Sequence, residues 1–384
     1  MIVTHLTVKN WRNFRAFDVD VRERQFIVGP NASGKSNFLD IFRFLRDVAK
    51  QEGGGLQKAI KDRGGVSKVR SLAARKDPEI AIEIHLAEAI DEPTIWRYAL
   101  GIRQETRGRR LPLVAYERVW HLERQIVDRP NGDDKGDSQL LTQTYLEQIG
   151  ANVKFREVAR FLQTITYLHL VPQLLRHADQ IQGRVIEDDP FGQAFLERIA
   201  KTSEKRQKSR LRSIEEALQL AVPQLQKLRF VRDPDSGRPH LEALYSHWRP
   251  NAGWQREDQF SDGTLRLIGL LWSLLEEDSL LLLEEPEQSL NAGIVAQLAP
   301  VIHRIQRRRR RQVMISTHSD DLLSDPGIDG REVLMLTPGG EGTEVQIAAD
   351  AQDIRALLEA GFSAGEAILP RSNPSQAAQL SLID

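Results

Sequence analysis

The stretch from Gln25 to Asn37 reads Q-F-I-V-G-P-N-A-S-G-K-S-N, and the rest of the chain can be interpreted outward from it. Its apolar start, Phe26 to Val28, is typical of a buried strand. Gly29 to Ser36 then match the pattern G-x-x-x-x-G-K-[ST], in which a glycine-rich loop surrounds phosphate groups. From Phe38 to Val48 the apolar residues recur at helical spacing. The pattern therefore predicts a strand, a phosphate loop and a helix in direct succession.

This loop predicts a site for ATP and Mg²⁺. We expect the backbone N–H groups of Gly34, Lys35 and Ser36 to point at phosphate oxygens from a helix N-terminus. Lys35 is expected to contact the β- and γ-phosphates, and the Ser36 hydroxyl to bind the metal ion. A chance glycine-rich turn is the alternative, which the flanking strand and helix disfavour. The candidate nucleotide-binding residues are Gly29, Pro30, Asn31, Ala32, Ser33, Gly34, Lys35, Ser36 and Asn37.

Composition limits the classes of protein that fit. The chain has 384 residues, of which 40% are hydrophobic and 28% charged, so it can form one large or two modest domains. The formal net charge is -1, and any affinity for DNA must therefore come from local patches. The absence of cysteine excludes disulfides and thiolate chemistry and favours a reducing, cytoplasmic compartment. We expect no signal sequence and no membrane span, since no apolar run approaches ~20 residues.

Residues 1–150 are predicted to form a first ATPase lobe with the phosphate loop and an antiparallel β subdomain. Strands are expected at Ile2–Val8 and around Phe17 to Val21, before the strand of the loop. Further alternating segments begin at Ile80, Trp96 and Val114, and they indicate an antiparallel meander with one face in water. By its composition, the segment from Arg129 to Ser138 is predicted to be a loop.

Three further segments complete the predicted organisation. Residues 151–250 are expected to form a helical arm and a hairpin, the hairpin lying between Phe230 and Ser246. Lys201 to Arg210 contains no apolar residue, so we predict that it is the tip of an arm that projects from the body. Residues 251–369 are predicted as a second ATPase lobe and residues 370–384 as a flexible tail.

A second motif, Leu280 to Glu287, reads L-L-L-L-E-E-P-E. Four consecutive leucines indicate a parallel strand that is buried on both faces, and ligands bind at the carboxyl ends of such strands. We predict that Glu284 holds Mg²⁺ through water and that Glu285 is the base that activates the attacking water. An acidic helix N-terminus is the alternative, and the phosphate loop favours the catalytic interpretation.

Two more motifs supply candidate site residues. His318 follows a predicted strand, Val313 to Ser316, and is expected to donate to a γ-phosphate oxygen; a satisfied core histidine is the alternative. Ser261 and Gly263 open a predicted helix in F-S-D-G-T, which favours anion binding, with a plain N-cap as the alternative.

Taken in order, these four motifs resemble those of an ABC-type ATPase of the SMC/RecF/OLD branch, to which prokaryotic antiphage defence ATPases are similar. The resemblance extends from Ile2 to about Glu366 and includes Asn31 in the loop, the S-D-G-T signature and the S-T-H-S switch. It implies an α/β fold, an ABC-type ATPase head with a mixed sheet around the loop, an antiparallel β subdomain and an inserted helical arm.

The resemblance also implies a head-to-tail homodimer that encloses two ATP molecules. Ser261 and Gly263 of one subunit would cap the γ-phosphate held by Lys35 of the other, with Ser289 to Asn291 at the interface. Lys35, Glu285 and His318 would be catalytic, and Ser36 and Glu284 would hold the metal ion. ATP would close the dimer and hydrolysis would reopen it.

Some features depart from the family pattern or stay open. Glu284 stands where many relatives have Asp. Gln173 is a candidate for the Q-loop glutamine. Trp11 and Phe14 are candidates for stacking on adenine, with core packing as the alternative.

Three basic segments suggest contacts with a phosphate backbone, without base-specific readout: Arg103 to Arg110, Lys201 to Arg212, and Arg307 to Arg311. A solvated helix end is the alternative for the run of arginines. We predict an ATP-hydrolysing, DNA-linked switch. Only a short segment follows His318, so we expect a separate effector, such as a nuclease, in antiphage defence. The alternatives are a RecF-like repair ATPase, a slow ATP-gated protein-binding scaffold and, more remotely, a transporter subunit.

Overall fold

The computed structural model describes residues 1–74, 77–106, 108–177, 189, 191–249, 253–276 and 280–372. The strands in these ranges are β1 (Ile2–Trp11), β2 (Phe14–Asp20), β3 (Arg24–Val28), β4 (Ile80–Ala87), β5 (Trp96–Gln104), β6 (Pro112–His121), β7 (Arg124–Arg129), β8 (Thr166–Leu168), β9 (Leu225–Arg232), β10 (Pro239–Tyr245), β11 (Trp254–Arg256), β12 (Leu280–Glu284), β13 (Gln312–Thr317), β14 (Val333–Gly339) and β15 (Gly342–Ile347).

The α-helices are α1 (Lys35–Ala49), α2 (Leu56–Asp62), α3 (Val66–Val69), α4 (Gly132–Gly136), α5 (Arg156–Gln163), α6 (Pro172–Arg176), α7 (Phe195–Lys201), α8 (Glu204–Ala221), α9 (Asp262–Leu275), α10 (Ala292–Arg309), α11 (Asp320–Leu323), α12 (Gln352–Glu359) and α13 (Ala364–Ile368). Together with three β-sheets they give the predicted α/β architecture of an ABC-type ATPase head.

The first sheet is antiparallel and has the strand order β2-β1-β4-β5-β6-β7. The predicted meander is confirmed for β4, β5 and β6. The sheet is larger than predicted, because β1 pairs with β2 on one side and with β4 on the other, and β7 extends the far edge. Alternation along β4 buries Ile80, Ile82 and Ile84, whereas the residues between them are partly exposed. This sheet therefore packs its apolar face inward, as the pattern indicates.

The second sheet surrounds the strand of the phosphate loop and has the order β15-β14-β3-β13-β12-β8. Its strands are parallel except β15, which pairs antiparallel with β14. Leu280 to Leu283 are fully buried between β13 and β8, which confirms the predicted buried parallel strand. Because parallel strands end at one edge, the residues that follow β3, β12 and β13 meet there.

The parallel strands bury side chains on both faces of this sheet. Leu280 and Leu282 lie in the core shared with α1 and the antiparallel sheet. Leu281 and Leu283 lie in a second core formed with α8, α9 and α10. Burial on both faces explains why β12 shows a continuous apolar run instead of alternation.

The segment from Arg129 to Ser138, predicted to be a loop, contains the short helix α4. The Asn131 side chain accepts a hydrogen bond from the Asp134 N–H at 3.0 Å, and the Asp134 carboxylate accepts from the Asn131 N–H at 2.9 Å. This reciprocal capping box stabilises a helix that the polar composition had concealed.

The prediction that Lys201 to Arg210 forms an exposed arm tip is wrong at Arg210, which is buried. The helix is interrupted at Thr202 and Ser203, which separate α7 from α8. Residues 204–209 are mainly exposed, and from Arg210 onward α8 buries one face, formed by Arg210, Leu211, Ile214 and Leu218. The predicted hairpin is confirmed as β9 and β10, and β11 adds a third strand.

Part of the predicted arm, residues 178–188 and 190, lies outside the described residues, as do residues 373–384 of the predicted tail. Leu369–Ser372 form a short 3-10 helix. In the part of the chain that the structure describes, no helix has both the length and the apolar character needed to cross a bilayer.

Candidate nucleotide site

The phosphate loop connects β3 to α1, and two of its glycines are required by close packing. A Cβ at Gly29 would lie 2.5 Å from the Leu336 carbonyl oxygen. Gly34 has a φ of 100°, and a Cβ there would lie 2.1 Å from the Asn13 amide nitrogen. Neither position accepts a larger residue without a shift of the backbone or of Asn13, so the loop keeps its concave, N–H-rich shape.

The Lys35 side chain is folded into the loop. Its Nζ donates to the Gly29 carbonyl oxygen at 2.8 Å and to the Pro30 carbonyl oxygen at 3.3 Å. Burial lowers the pKa of Lys35, although Glu285 and other nearby carboxylates act in the opposite direction. A buried amine with carbonyl partners is suited to bind an anion. The negative charge of a phosphate would stabilise the protonated amine, which burial has removed from water.

The loop also contains a buried polar atom that a ligand could satisfy. The Ser33 hydroxyl oxygen is buried and has no hydrogen-bond partner among the described residues. Such orphaned groups are rare in folded proteins and usually have a functional reason. Together with the Lys35 amine, this hydroxyl fits a phosphate group within the loop.

The predicted metal-binding residues, Ser36 and Glu284, are in contact. The Ser36 hydroxyl donates to Oε1 of Glu284, and the Tyr167 hydroxyl donates to Oε2 of the same carboxylate. No cluster of three or more His, Cys, Asp or Glu side chains suited to a metal ion occurs among the described residues. One hydroxyl and one carboxylate nevertheless fit Mg²⁺, which takes oxygen ligands and usually completes its shell with water and substrate phosphates.

Glu285 and His318 lie together at the same sheet edge. Nδ1 of His318 is 3.2 Å from Oε1 of Glu285, and Gln288 donates to Oε2 of Glu285. Glu285 has a φ of 44°, and its N–H donates to the Ser316 carbonyl oxygen at 3.0 Å. Because both side chains keep some exposure, 21% for Glu285 and 55% for His318, a water molecule can reach the carboxylate. His318 is therefore not the satisfied core histidine of the alternative interpretation.

Glu287 is a buried carboxyl group that the sequence analysis did not single out. Its Oε1 accepts from the Thr317 hydroxyl at 2.6 Å, whereas Oε2 is buried without a hydrogen-bond partner among the described residues. Burial raises the pKa of Glu287. The contact connects β13 to the segment after β12. In the sequence, Glu287 could have been noticed as the third glutamate of E-E-P-E.

In the single chain, Ser261 acts as the N-cap of α9. Its hydroxyl accepts from the Thr264 N–H at 3.2 Å. A Cβ at Gly263 would lie 2.7 Å from the Ser289 carbonyl oxygen, so the signature packs against the predicted interface segment, Ser289 to Asn291. The plain cap is thus present, and it leaves the helix N-terminus with the bare N–H groups that an anion requires.

The segment after β8 binds the signature directly. Gln173 donates to Oδ2 of Asp262 at 2.8 Å. Arg176, which the sequence analysis missed, donates to Oδ1 of Asp262 and to the Phe260 carbonyl oxygen, both at 2.6 Å. These contacts connect α6 to the start of α9.

The two candidates for stacking on adenine are wrong. Trp11 and Phe14 are fully buried, and Trp11 Nε1 donates to the Asn37 carbonyl oxygen at 3.0 Å, so both are core residues. A polar cavity of about 1090 Å³ lies beside the loop instead, and its walls include Arg12, Asn13, Asn37, Arg70 and Thr343.

The basic segments are only partly on the surface. Arg307 to Arg309 occupy the last turn of α10, where the helix dipole favours cations, and Arg310 is the left-handed C-cap. Arg311 is buried and donates to the Ser273 carbonyl oxygen, and Arg210 is buried beside Trp272. Arg210 and Arg311 therefore do not belong to the basic surface that was predicted for Lys201 to Arg212 and Arg307 to Arg311. Arg107, within the third segment, lies outside the described residues.

Comparison with known proteins agrees with this geometry. Residues 26–325 match the AAA_21 family model, described as "AAA domain, putative AbiEii toxin, Type IV TA system". No curated protein matches the sequence.

Similar solved structures include an SmcHead bound to the C-winged helix domain of ScpA, with a TM-score of 0.53 and 16% identity over 90% of this chain and 98% of that one. Another is a Pyrococcus furiosus Smc head domain with an extended coiled coil, bound to the C-terminal domain of ScpA, with a TM-score of 0.51 and 15% identity over 94% and 99% of the two chains. A Pyrococcus yayanosii Smc head domain with a coiled coil and joint has a TM-score of 0.50 and 13% identity over the same shares. At these identities the similarity establishes the fold.

Proposed function

This chain belongs to the AAA_21 family, and on that premise we propose that it binds and hydrolyses ATP as a dimerising switch. By family and fold it is an ABC-type, SMC-like ATPase. The observation that carries the proposal is the meeting of four groups at one sheet edge. The Ser36 hydroxyl contacts the Glu284 carboxylate, and Glu285 follows directly with His318 beside it. Nucleotide hydrolysis needs such an arrangement of a metal site, a base and a phosphate contact.

Each of these residues has a defined role in the proposal. Lys35 and the loop N–H groups bind the phosphates, and Ser36 and Glu284 hold Mg²⁺. The ion, when bound, neutralises charge on the phosphates. Glu285 accepts a proton from the attacking water at Oε1, and His318 at 3.2 Å from that oxygen senses the γ-phosphate.

The polar cavity beside the loop is where we propose that the base and ribose bind. Its walls carry hydrogen-bonding groups, and Asn13 is fixed there because its amide donates to the Ser33 carbonyl oxygen and to the Thr343 hydroxyl, both at 2.7 Å. Asn13 thus links the wall of the cavity to the phosphate loop, which supports this placement of the base and ribose.

The dimer is head to tail. Residues 1–150 and 251–369 are proposed as the two lobes of one head, with residues 151–250 as the insertion between them. Ser261 and Gly263 of one copy would approach the γ-phosphate held by Lys35 of the other. The free N–H groups at the start of α9 and the packing of Gly263 on Ser289 support this role, because they present an anion site beside the interface segment.

We also propose a link to DNA and to a separate effector, such as a nuclease, in antiphage defence. The exposed basic side chains that support contacts with a phosphate backbone are Arg103, Arg109, Arg110, Lys205, Arg206, Lys208 and Arg307 to Arg310. Two of the similar structures hold a ScpA domain on an Smc head, which supports a protein partner on this head as well.

Steady-state ATP turnover, measured with and without DNA, tests the function. We expect Mg²⁺-dependent release of phosphate that rises with duplex DNA, and no turnover by native protein would contradict the ATPase proposal. Stimulation by gapped or broken ends alone would favour a RecF-like repair ATPase. Slow turnover that DNA leaves unchanged would favour an ATP-gated scaffold. Cleavage of DNA by the purified chain would refute the separate effector.

A further inference from the structure

The Tyr167 side chain reaches the metal-binding carboxylate from a neighbouring strand. It lies on β8, which pairs in parallel with β12 so that Tyr167 stands opposite Leu282. Its hydroxyl extends past that position and donates to Oε2 of Glu284. The contact joins residues that are 117 positions apart in the chain, so local sequence does not reveal it.

The tyrosine ring is held in place from two sides. It is 6% exposed, and the guanidinium of Arg43 on α1 stands over it at 4.1 Å from the ring centroid. The phenol hydroxyl is a hydrogen-bond donor, and its acceptor here is the Glu284 carboxylate.

Glu284 needs such a support more than an aspartate would. A glutamate side chain has one more rotatable bond, and its terminal torsion is broad. Here its two oxygens are divided between two hydroxyls: Ser36 binds Oε1 and Tyr167 binds Oε2. Because Ser36, in the first turn of α1, is the other proposed metal ligand, Oε1 is the Glu284 oxygen on the side of the proposed metal position.

We propose that Tyr167 is a positioning residue that turns Oε1 of Glu284 toward the magnesium ion by holding Oε2. This inference rests on the proposed ATPase function. Tyr167 is not a metal ligand, since its neutral hydroxyl is engaged with the carboxylate. Groups that orient metal ligands in this way typically contribute 10- to 100-fold to metal affinity.

The test compares Tyr167→Phe with its parent in a Glu285→Gln background, which removes turnover from the measurement. Phenylalanine keeps the ring and its contact with Arg43 and removes only the hydroxyl. Binding of a fluorescent ATP analogue is followed in EDTA and then in a Mg²⁺ titration. We expect unchanged affinity in EDTA and a rise of about tenfold in the half-saturating Mg²⁺ concentration. Tyr116→Phe, on β6 of the antiparallel sheet, is the matched control and should behave as its parent.

A second variant keeps the test decisive if Tyr167→Phe does not fold, which its thermal melt would reveal. Glu284→Asp shortens the carboxylate so that it no longer reaches the Tyr167 hydroxyl, and we expect the Mg²⁺ requirement to rise there as well. An unchanged Mg²⁺ requirement in Glu284→Asp would overturn the inference even if Tyr167→Phe does not fold. Where both single variants fold, their effects should not add in the double variant, because both break one contact. Additive effects would overturn the inference.

The outcomes separate this inference from the function on which it rests. If the parent responds to Mg²⁺ and Tyr167→Phe responds identically, the positioning role is wrong and the ATPase proposal stands. Equal losses in EDTA and in Mg²⁺ would mean that Tyr167 supports the fold alone, which also overturns the inference. If the parent binds no nucleotide under either condition, the proposed function itself fails.

Discussion

Two clusters of charged side chains differ in whether their polar atoms have hydrogen-bond partners within the chain. In the antiparallel sheet, the fully buried Arg129 donates to Glu117 at 3.1 Å and to Asp134 at 2.7 Å and 3.0 Å. Glu117 also accepts from the Tyr98 hydroxyl at 3.1 Å and from two backbone N–H groups. Both carboxylates share one guanidinium, and the hydrogen bonds of the cluster are made within the chain.

The cluster at the edge of the second sheet is different. Lys35 donates to loop carbonyls and to none of the nearby carboxylates, and burial lowers its pKa. Glu287 has a buried oxygen without a partner among the described residues, and its pKa is raised by burial. Glu285 has a left-handed backbone conformation. The first cluster is matched in its hydrogen bonds and stabilises the fold, although burial raises the pKa of Glu117 there as well. The second is unmatched, because a buried Glu287 oxygen and the Ser33 hydroxyl lack partners among the described residues, and this favours a ligand-binding role.

The largest effect is expected for Lys35→Ala. Loss of the amine removes about two charge-assisted hydrogen bonds to the phosphates, each worth about 1.5–3 kcal/mol, so ATP affinity should fall by about 1000-fold. Equilibrium binding of a fluorescent ATP analogue measures this. The free energy of unfolding should change little, since Lys35 pairs with no carboxylate in the nucleotide-free chain. A strongly destabilised variant would show that Lys35 stabilises the fold, as Arg129 does, and would contradict the contrast between the two clusters.

Glu285→Gln should reduce turnover by about 1000-fold, within the usual range for a general base, while ATP still binds. Single-turnover release of phosphate is the appropriate measurement. Glu216→Gln, on the exposed side of α8, serves as a control that should retain native turnover. Unchanged turnover in Glu285→Gln would remove this residue as the base.

Arg129→Met probes the matched cluster. Removing the guanidinium leaves two buried carboxylates without a counter-charge, and we expect the free energy of unfolding to fall by about 3–5 kcal/mol. Arg118→Met breaks an exposed pair with Asp128 at 3.1 Å and should cost less than about 1 kcal/mol. Urea denaturation compares the two variants. ATP affinity, measured well below the melting temperature, should be native in both, and a selective loss in Arg129→Met would link the clusters.

Glu147 gives the smallest expected effect, a change in how stability depends on pH. Burial raises its pKa from 4.5 to about 7. The folded chain therefore binds this proton more tightly than the unfolded chain, and the resulting stability is present below pH 4.5 and is lost as pH rises through about 7. Between pH 5 and pH 7 the native chain should lose about 2 kcal/mol more than Glu147→Gln does. Parallel pH profiles from urea denaturation would show that Glu147 titrates normally.

Much of this molecule could be predicted from the sequence, because the decisive signals are local. The phosphate loop, the leucine strand before Glu284 and the position of His318 each follow from a short pattern within one strand-to-loop connection. The strands and helices after Gln259 follow from periodicity in the same way. Local patterns predict well on which strand or helix a residue lies, and at which edge of the sheet a strand ends.

The features that sequence analysis missed depend on contacts between distant segments. Tyr167 meets Glu284 across 117 positions, and Arg176 meets Asp262 across 86. Burial of Trp11, Arg210 and Arg311 likewise depends on which elements pack together. Arginine and tryptophan combine apolar and polar atoms, so their burial cannot be predicted from the neighbouring sequence. The helix within the predicted loop was missed because its stabilisation comes from a reciprocal cap, not from an apolar face.

The central claim is that two copies of this chain close on ATP, each completing the other's unmatched cluster. Sedimentation equilibrium of Glu285→Gln measures this directly, in Mg²⁺ with ATP, with ADP and without nucleotide. We predict a mass of two chains with ATP and of one chain in the other conditions, and a return to one chain when Ser261 is replaced by arginine. A mass of one chain in saturating ATP, under conditions in which the nucleotide is bound, would contradict the account.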